Sequence, residues 1–341
     1  MAENTKIEWA HHSFNSWEGC AKVSPGCKYC YAESQHRFLY AALGKNEGPG
    51  TCWGISAPRL ARSADNWKKP LKWNRKASEQ RVRFRVFCAS MADVFEQQSE
   101  LSRAFAGVTA EVPTGKAKQT RTVTFANLDE ERIQLFALIS VTPQLDWLLL
   151  TKRPEAIMAT LKRIFRLLCE PDRISTTDKR AFNLLEKWVL DERPPHNVWL
   201  GTSVENQAEA DARIPHLVRV PAVVHFLSCE PLLSAVDLTP YLAALSWVIV
   251  GGESGPHSRP IHPDWVRSLQ HQCQQAQVSF FFKQWGESVP QGQQLRDDYG
   301  HSGHQPWLPA DGTCLWRVGK KHAGRQLDGQ LYEGVPDPLA A

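Results

Sequence analysis

The chain repeats one pattern of apolar and polar positions. A short apolar run rich in β-branched and aromatic residues ends abruptly in polar or glycine residues, and a sequence with helical periodicity follows. Nearly continuous apolar runs, rather than alternating ones, are typical of strands buried on both faces of a parallel sheet. The runs lie at 84–93, 147–153, 198–205, 223–230, 247–254 and 278–285.

Helical stretches such as Ile157–Leu168 and Pro263–Ala276 would supply the crossovers between these strands. We therefore predict an α/β fold, a partial or closed β/α barrel over residues 1–285. A polar, Thr-rich segment at about 107–131 predicts an inserted hairpin or loop. Residues 286–341 are rich in Gly, Gln and Pro, and we expect a partly ordered C-terminal extension.

Polar residues follow each predicted strand. In β/α barrels the active site lies at the C-terminal ends of the strands. For any single residue, contact with solvent at a strand end explains its polarity equally well, but recurrence over six strands favours a shared ligand site. Its candidate residues are Ser90, Asp93, Lys152, Arg153, Ser203, Glu205, Ser228, Glu230, Glu253, Ser254, Lys283 and Gln284.

Composition narrows the class of protein. The 341 residues are 42% hydrophobic and 22% charged, with a formal net charge of +4, which is ordinary for a soluble globular protein. No run approaches the roughly 20 apolar residues that cross a bilayer, and the first residues lack a signal-peptide core. We expect a cytoplasmic protein with no membrane partner, whose nine cysteines are reduced.

Three of these cysteines form a tight group. Cys20, Cys27 and Cys30 have the spacing C-x6-C-x2-C, and Pro25 and Gly26 supply a turn that lets the chain fold back. Soft thiolates select zinc or an iron–sulfur cluster over harder cations. From the residues alone both metals stay open, since a histidine could complete a zinc site. The candidate histidines are His36, His11 and His12.

Two strand-end motifs suit a ligand. The turn Gly251-Gly252-Glu253 follows a strong strand, and paired glycines let the backbone approach a carboxylate or phosphate closely. A simple tight turn would look the same. Lys152 and Arg153 suit an anionic ligand, although an ion pair with Glu205 or Glu230 explains them as well.

A basic stretch at 57–85 is the strongest indication of a substrate. It carries ten Lys and Arg residues against two acids, with Trp67 and Trp73 interleaved and Trp53 just before. Cations for phosphates and aromatic rings for stacking are what nucleic-acid binding uses. A solvated basic helix with tryptophans packed against the barrel is the equal alternative. The candidate nucleic-acid contacts are Arg62, Lys68, Lys69, Lys72, Arg75 and Lys76.

The cysteine loop and the β/α pattern behind it resemble the radical S-adenosylmethionine (SAM) enzymes. Nearly the whole chain is similar to a family of phage and prophage radical-SAM-like proteins, most of them labelled as of unknown function. The first cysteine gap of six residues departs from the superfamily's usual three, and the closer family shares it. The similar stretches are 15–20, 24–33, 90–93, 151–154, 201–206, 228–231, 251–255, 282–286 and 318–321.

The resemblance implies a [4Fe-4S] cluster held by Cys20, Cys27 and Cys30, with one iron left free to bind SAM. Reductive cleavage of SAM would yield a 5′-deoxyadenosyl radical that abstracts hydrogen from the substrate, with flavodoxin or ferredoxin as the electron donor. Tyr29 would pack near the adenine. The other candidate cofactor contacts rest on their position at strand ends and not on the resemblance. They are Ser90, Asp93, Lys152, Ser203, Glu205, Gly251, Gly252 and Glu253.

Two functions follow as hypotheses. The first is a radical SAM enzyme that modifies, rearranges or repairs a nucleic-acid base or nucleotide, such as a DNA modification in a phage context. The second is a non-enzymatic, zinc-containing nucleic-acid-binding protein, for which the basic stretch would be the functional surface.

Overall fold

The computed structural model describes residues 2–34, 52–113, 120–293 and 311–337. The protein has a mixed α/β fold in which one sheet runs in the order β1-β2-β5-β8-β9-β10-β11-β12. Strand β1 is antiparallel to β2, and the other seven strands are parallel and curl as a half-barrel. The strands of this sheet are β1 (Ala2–Glu3), β2 (His12–Phe14), β5 (Phe84–Cys88), β8 (Leu145–Thr151), β9 (Val198–Ser203), β10 (Val224–Cys229), β11 (Trp247–Gly251) and β12 (Ser279–Gln284).

The six strands predicted from apolar runs are confirmed as β5 and β8 to β12. Buried side chains run almost without a break along β8, β9 and β11, as a parallel strand covered on both faces requires. The remaining strands form two-stranded sheets: β3 (Trp17–Glu18) with β4 (Leu60–Ala61), β6 (Thr109–Pro113) with β7 (Thr120–Thr124), and β13 (Ser288–Pro290) with β14 (Leu315–Arg317).

Helices of the described residues lie between the strands as crossovers require. The helices whose two ends both lie among the described residues are α1 (Ala64–Gln80), α2 (Glu100–Ala104), α3 (Leu128–Ser140), α4 (Ile157–Leu168), α5 (Thr176–Leu190), α6 (Gln207–Leu217), α7 (Pro263–Gln275) and α8 (Lys320–Ala323). The two helices predicted from periodicity are confirmed, as α4 and α7. None that the structure describes is long and apolar enough to span a bilayer.

The chain divides into two compact units. The first contains Met1–Val23, Cys30–Leu200 and Val220–Val223. In it β2, β5 and β8 pair in parallel, and α1 packs through Trp73, which is 2% exposed and stacks on His12 with ring centroids 4.3 Å apart. The segment that the sequence assigns to an insertion forms the β6–β7 hairpin, and α3 begins within its last residues.

The second unit contains Ser24–Tyr29, Gly201–Arg219 and Val224–Ala341. Its strands β10, β11 and β12 pair in parallel. The chain after β12 packs on this unit, because the indole of Trp247 donates to the Gly334 carbonyl at 2.7 Å. Gly252 has no room for a side chain, since a Cβ there would lie 2.0 Å from the Trp285 carbonyl oxygen. The turn after β11 therefore requires glycine for close backbone approach.

Glu131 on α3 makes stability depend on pH. It is 8% exposed, its Oε2 has no hydrogen-bond partner among the described residues, and burial together with the charge of Glu130 raises its pKa to about 8. The native state then holds a proton that the unfolded chain loses near pH 4.5, so the free energy of unfolding falls as pH rises from 4.5 to 8.

Glu131→Gln removes this titration. Urea titrations at pH 5, 6.5 and 8 would give the free energy of unfolding of the variant and of the wild type. As pH rises, the difference between them should shift in favour of the variant by at most about 1.4 kcal/mol per pH unit. The exposed Glu170→Gln is the control and should track the wild type. A constant difference between Glu131→Gln and the wild type across this range would contradict the assignment.

Candidate functional site at the cysteine loop

The segment Ser24–Tyr29 of the cysteine loop belongs to the second unit. A 3-10 turn over Pro25–Cys27 begins after Ser24, with proline at its first position, where a missing N–H costs nothing. The Ser24 hydroxyl lies 3.7 Å from the Cys27 Sγ. The turn expected from Pro25 and Gly26 is present, and it orients Cys27.

Glu205 holds this turn. It follows β9 and is fully buried, and its Oε1 accepts hydrogen bonds from the Ser24 hydroxyl and from the Gly26 N–H at 3.2 Å. Its Oε2 accepts from Arg213 at 2.7 Å. A Cβ on Gly26 would lie 2.6 Å from Glu205 Oε1, so only glycine lets the turn come this close. A buried, paired carboxylate thus fixes the backbone just before Cys27.

Tyr29 is held by a second ion pair. The Arg259 guanidinium lies 5.3 Å from the Tyr29 ring centroid, and the His257 ring lies 5.6 Å from it. Glu253, two residues after β11, accepts from the Arg259 backbone N–H at 2.9 Å and from its guanidinium at 2.8 and 2.5 Å. The hydrogen bond to Glu253 is the main cause that raises the pKa of Arg259. Glu253 therefore positions Tyr29 through Arg259.

The C-terminal segment holds the loop that follows β11. Arg317 on β14 donates to the carbonyl oxygens of Gly255 and Pro256 at 2.8 and 2.9 Å. Glu287 accepts the Gly255 N–H at 2.9 Å. These contacts hold the loop that carries His257 and Arg259. They therefore affect Tyr29 indirectly, through those two side chains.

Cys20 lies in the first unit, beside a buried ionic network. Glu96 is 2% exposed and accepts the Ala21 N–H at 2.8 Å and two bonds from Arg59, at 2.9 and 2.7 Å. Arg153 donates to the Ala21 carbonyl at 2.8 Å, and its Nη1 lies 3.8 Å from the Cys20 Sγ. Both backbone groups of Ala21 are thus held by charged side chains.

Burial raises the pKa of the Cys20 thiol, and the charges of Glu96 and Asp93 raise it further while Arg153 opposes them. The thiol is therefore protonated at neutral pH in this arrangement. A metal ion that binds Cys20 as thiolate would displace that proton.

Asp93, an expected cofactor contact, accepts four hydrogen bonds from groups of the protein itself. Its Oδ1 accepts from the Phe95 N–H at 3.0 Å and the Thr151 hydroxyl at 2.7 Å. Its Oδ2 accepts from the Lys152 N–H at 3.1 Å and Arg153 at 2.7 Å. A carboxylate has about four acceptor positions, so these four bonds occupy Asp93 and also tie down the end of β8.

Ser90 joins the loop to the end of β5. The Asn15 amide donates to the Ser90 hydroxyl at 3.1 Å, and the Tyr31 hydroxyl donates to the Ser90 carbonyl at 2.9 Å. The chain just after Cys30 is therefore attached to a strand end in the first unit.

Glu230 directly follows β10, and Lys283 is the second-last residue of β12. Both strands are neighbours of β11. The Lys283 ammonium donates to Glu230 Oε2 at 2.7 Å. Glu230 Oε1 is buried with no hydrogen-bond partner among the described residues, and a Cβ on Gly251 would lie 3.0 Å from it. An acceptor of this kind suits an N–H or O–H donor of a ligand. Ser203, the last residue of β9, is 4% exposed, and its carbonyl accepts from Arg213.

The three thiols have the chemistry of a soft-metal site. Each of the three cysteines is half-buried and free of disulfides, and all lie within eleven residues of chain. Among the described residues, no group of three or more His, Cys, Asp or Glu side chains is arranged to hold a metal ion. The donor types therefore fit a thiolate-bound group, and their assembly would accompany its binding.

Two of the three candidate zinc-ligand histidines, His11 and His12, lie among the described residues. His12 is 2% exposed and stacked on Trp73, and His11 Nδ1 accepts the Arg85 N–H at 2.8 Å. Burial lowers the pKa of each to about 4. Both rings pack as neutral side chains of the first unit, and His36 lies outside the described residues.

Sequence reasoning missed four residues that hold the cysteine loop or its supporting side chains. Arg213 lies inside α6, Arg259 and His257 lie in an irregular loop, and Glu96 lies three residues beyond Asp93. No strand pattern points to them. The one available signal is Arg213, eight residues after Glu205 in the second turn of the helix that follows β9.

The fold is that of an α/β protein with a curled parallel sheet. In the second unit Glu205 holds the turn before Cys27, and in the first unit Glu96 holds the backbone next to Cys20. A family model described as a protein of unknown function (DUF5131) matches residues 4–116 and 122–336. The chain belongs to this family. No curated protein and no solved structure matches the chain.

Proposed function

We propose that this protein is a radical-SAM-type enzyme in which Cys20, Cys27 and Cys30 hold a [4Fe-4S] cluster. Its substrate would be a nucleic-acid base or nucleotide, in a phage context. One observation carries the proposal: two buried carboxylates, Glu96 and Glu205, are used to fix the backbone of the cysteine loop. Burying charge is costly, and its use on a short loop supports a role in presenting the thiols.

When bound, the cluster and SAM would supply the electron transfer and the radical chemistry. The residues of the chain would orient and bind. Glu96 would fix the backbone just after Cys20, and Glu205 would fix the backbone just before Cys27. Tyr29, with Arg259 and His257 against it, would offer an aromatic surface to the adenine. Glu230 Oε1 would accept a hydrogen bond from the ligand, and Lys283 would hold that carboxylate in place. A flavodoxin or ferredoxin would be the electron donor.

Metal and sulfide content test the proposal. Protein purified without oxygen should be brown and contain about four iron and four sulfide per chain. After reduction it should cleave SAM to methionine and 5′-deoxyadenosine. Cys20→Ala, Cys27→Ala and Cys30→Ala should each lose most of the iron and the cleavage, whereas Cys169→Ala, an exposed thiol on the first unit, should keep both.

A colourless protein with one tightly held zinc would overturn the proposal and support the zinc-containing nucleic-acid-binding alternative. Iron retained by all three alanine variants would show that the cluster, if present, has other ligands.

A further inference from the structure

The structure separates the ten cations of residues 57–85 into two groups. Four are engaged inside the first unit: Arg59 with Glu96, Arg62 with Glu18 at 2.9 Å, Arg83 with Asp146 at 2.6 Å, and Arg85 with the Trp9 carbonyl at 2.9 Å. The others lie on α1 or directly after it, at Lys68, Lys69, Lys72, Arg75, Lys76 and Arg81. Except for the half-buried Lys69, these are exposed.

The α1 cations form one face, which we call the basic face: Lys68, Lys69, Lys72, Arg75 and Lys76. Helix α1 buries Pro70, Trp73 and Ala77 on the opposite side. Residues three and four apart on a helix are neighbours, so Lys68, Lys72, Arg75 and Lys76 form a continuous stripe. At 1.5 Å per residue the stripe is about 12 Å long.

Few acids compensate this charge. Asp65 and Glu79, at the two ends of α1, pair with Lys68 at 3.1 Å and with Arg75 at 3.7 Å, and all four side chains are more than half exposed. Exposed pairs of this kind contribute little free energy, at most about 1 kcal/mol, so a stronger anion can replace them. Lys69, Lys72 and Lys76 form no ion pair with the described residues.

The tryptophans of this stretch serve the core. Trp73 is 2% exposed against His12, and Trp67 meets Phe14 edge to face with centroids 5.1 Å apart. Neither ring belongs to the basic face. Trp67 and Trp73 are therefore not placed to stack on bases at the basic face, whose cations remain exposed or half-buried.

We propose that the basic face binds the sugar–phosphate backbone of a nucleic acid without reading its sequence. A stripe of about 12 Å matches three to four phosphates of one strand, at roughly 3.4 Å of axis per charge. Cations without aromatic partners contact phosphates and position the polymer, whereas base contacts would be needed for specificity. As a docking surface for the substrate, this role rests on the proposed function, but the binding itself needs no cluster.

Salt-dependent binding tests this surface. Fluorescence anisotropy with the full chain and labelled 30-nucleotide DNA, single- and double-stranded and in two scrambled sequences, would be measured from 25 to 200 mM salt. The slope of log affinity against log salt should be about −3, with similar affinity for both sequences. Lys72→Glu/Lys76→Glu should weaken binding at 50 mM salt about tenfold or more and reduce the slope by about 2.

The charge-matched control is Lys179→Glu/Arg180→Glu, on the exposed surface of α5 in the same unit. It should stay within about twofold of the wild type. Equal weakening by both double variants, absence of wild-type binding at 50 mM salt, or a strong preference for one scrambled sequence would each overturn the proposal. Circular dichroism and urea unfolding would confirm that the variants fold.

The outcome is independent of the cysteine chemistry. Cys27→Ala should bind DNA like the wild type while losing SAM cleavage. Loss of DNA binding in Lys72→Glu/Lys76→Glu with intact SAM cleavage would support the surface. Intact DNA binding by wild-type protein that holds no iron after purification without oxygen would contradict the enzyme proposal alone.

Discussion

Glu205→Ala is expected to lower the free energy of unfolding by about 3–5 kcal/mol and to expose Cys27. The substitution leaves Arg213, which is 5% exposed, without the carboxylate at 2.7 Å, and it removes the acceptor of Ser24 and Gly26. In the reduced, metal-free protein, alkylation of Cys27 followed by peptide mass spectrometry should be faster than in the wild type.

Glu209→Ala is the matched control. Glu209 also pairs with Arg213, at 2.8 Å, but among the described residues it forms no bond with the cysteine loop. It should cost less stability and leave the alkylation rate of Cys27 unchanged. If both variants speed alkylation equally, Glu205 acts through general loosening of α6 and not through the turn.

Glu96→Ala should also lower the free energy of unfolding by about 3–5 kcal/mol, but it should change the alkylation rate of a different cysteine. It leaves Arg59, 3% exposed, with only the carbonyl oxygens of Cys52, Gly54 and Ala57, and it frees the Ala21 N–H. We therefore expect faster alkylation of Cys20 and an unchanged rate for Cys27.

The exposed Glu79→Gln, which removes the same charge from the first unit, is the control and should change stability by less than about 1 kcal/mol. Glu96→Gln should lie between alanine and wild type, because its amide oxygen can still accept from Ala21. A rate change at Cys27 as large as that at Cys20 would contradict separate anchoring of the loop by Glu96 and Glu205.

Much of the sheet could be predicted because its signal is repeated. Strands buried on both faces carry continuous apolar residues, and that pattern located β5 and β8 to β12 within a few residues. Strand β2 escaped the pattern. It is three residues long and begins with His12 and Ser13, and such a short polar strand becomes recognisable only through its pairing with β5.

For the site, the sequence predicted which residues lie at strand ends but not what their side chains contact. A polar residue after an apolar run indicates a position at a strand end, but it does not say whether the side chain faces a ligand or a protein cation. Asp93 and Glu253 were both expected to contact the cofactor, and the structure pairs them with Arg153 and Arg259. Arg153 was itself a strand-end candidate, but Arg259 lies in an irregular loop. In both cases the pairing depends on tertiary contacts that no local pattern encodes.

The bonds to the turn before Cys27 also set an order of events during synthesis. Ser24 and Glu205 are 181 residues apart, and Arg259 and Arg317 come later still. At 5–20 residues per second, the ribosome needs roughly 10–40 s to make Glu205 after it has made the cysteines. Cys27 and its turn therefore spend that interval without the side chains that hold them. This part of the loop acquires its final shape only after Arg259 and Arg317, in the last third of the chain, have been made.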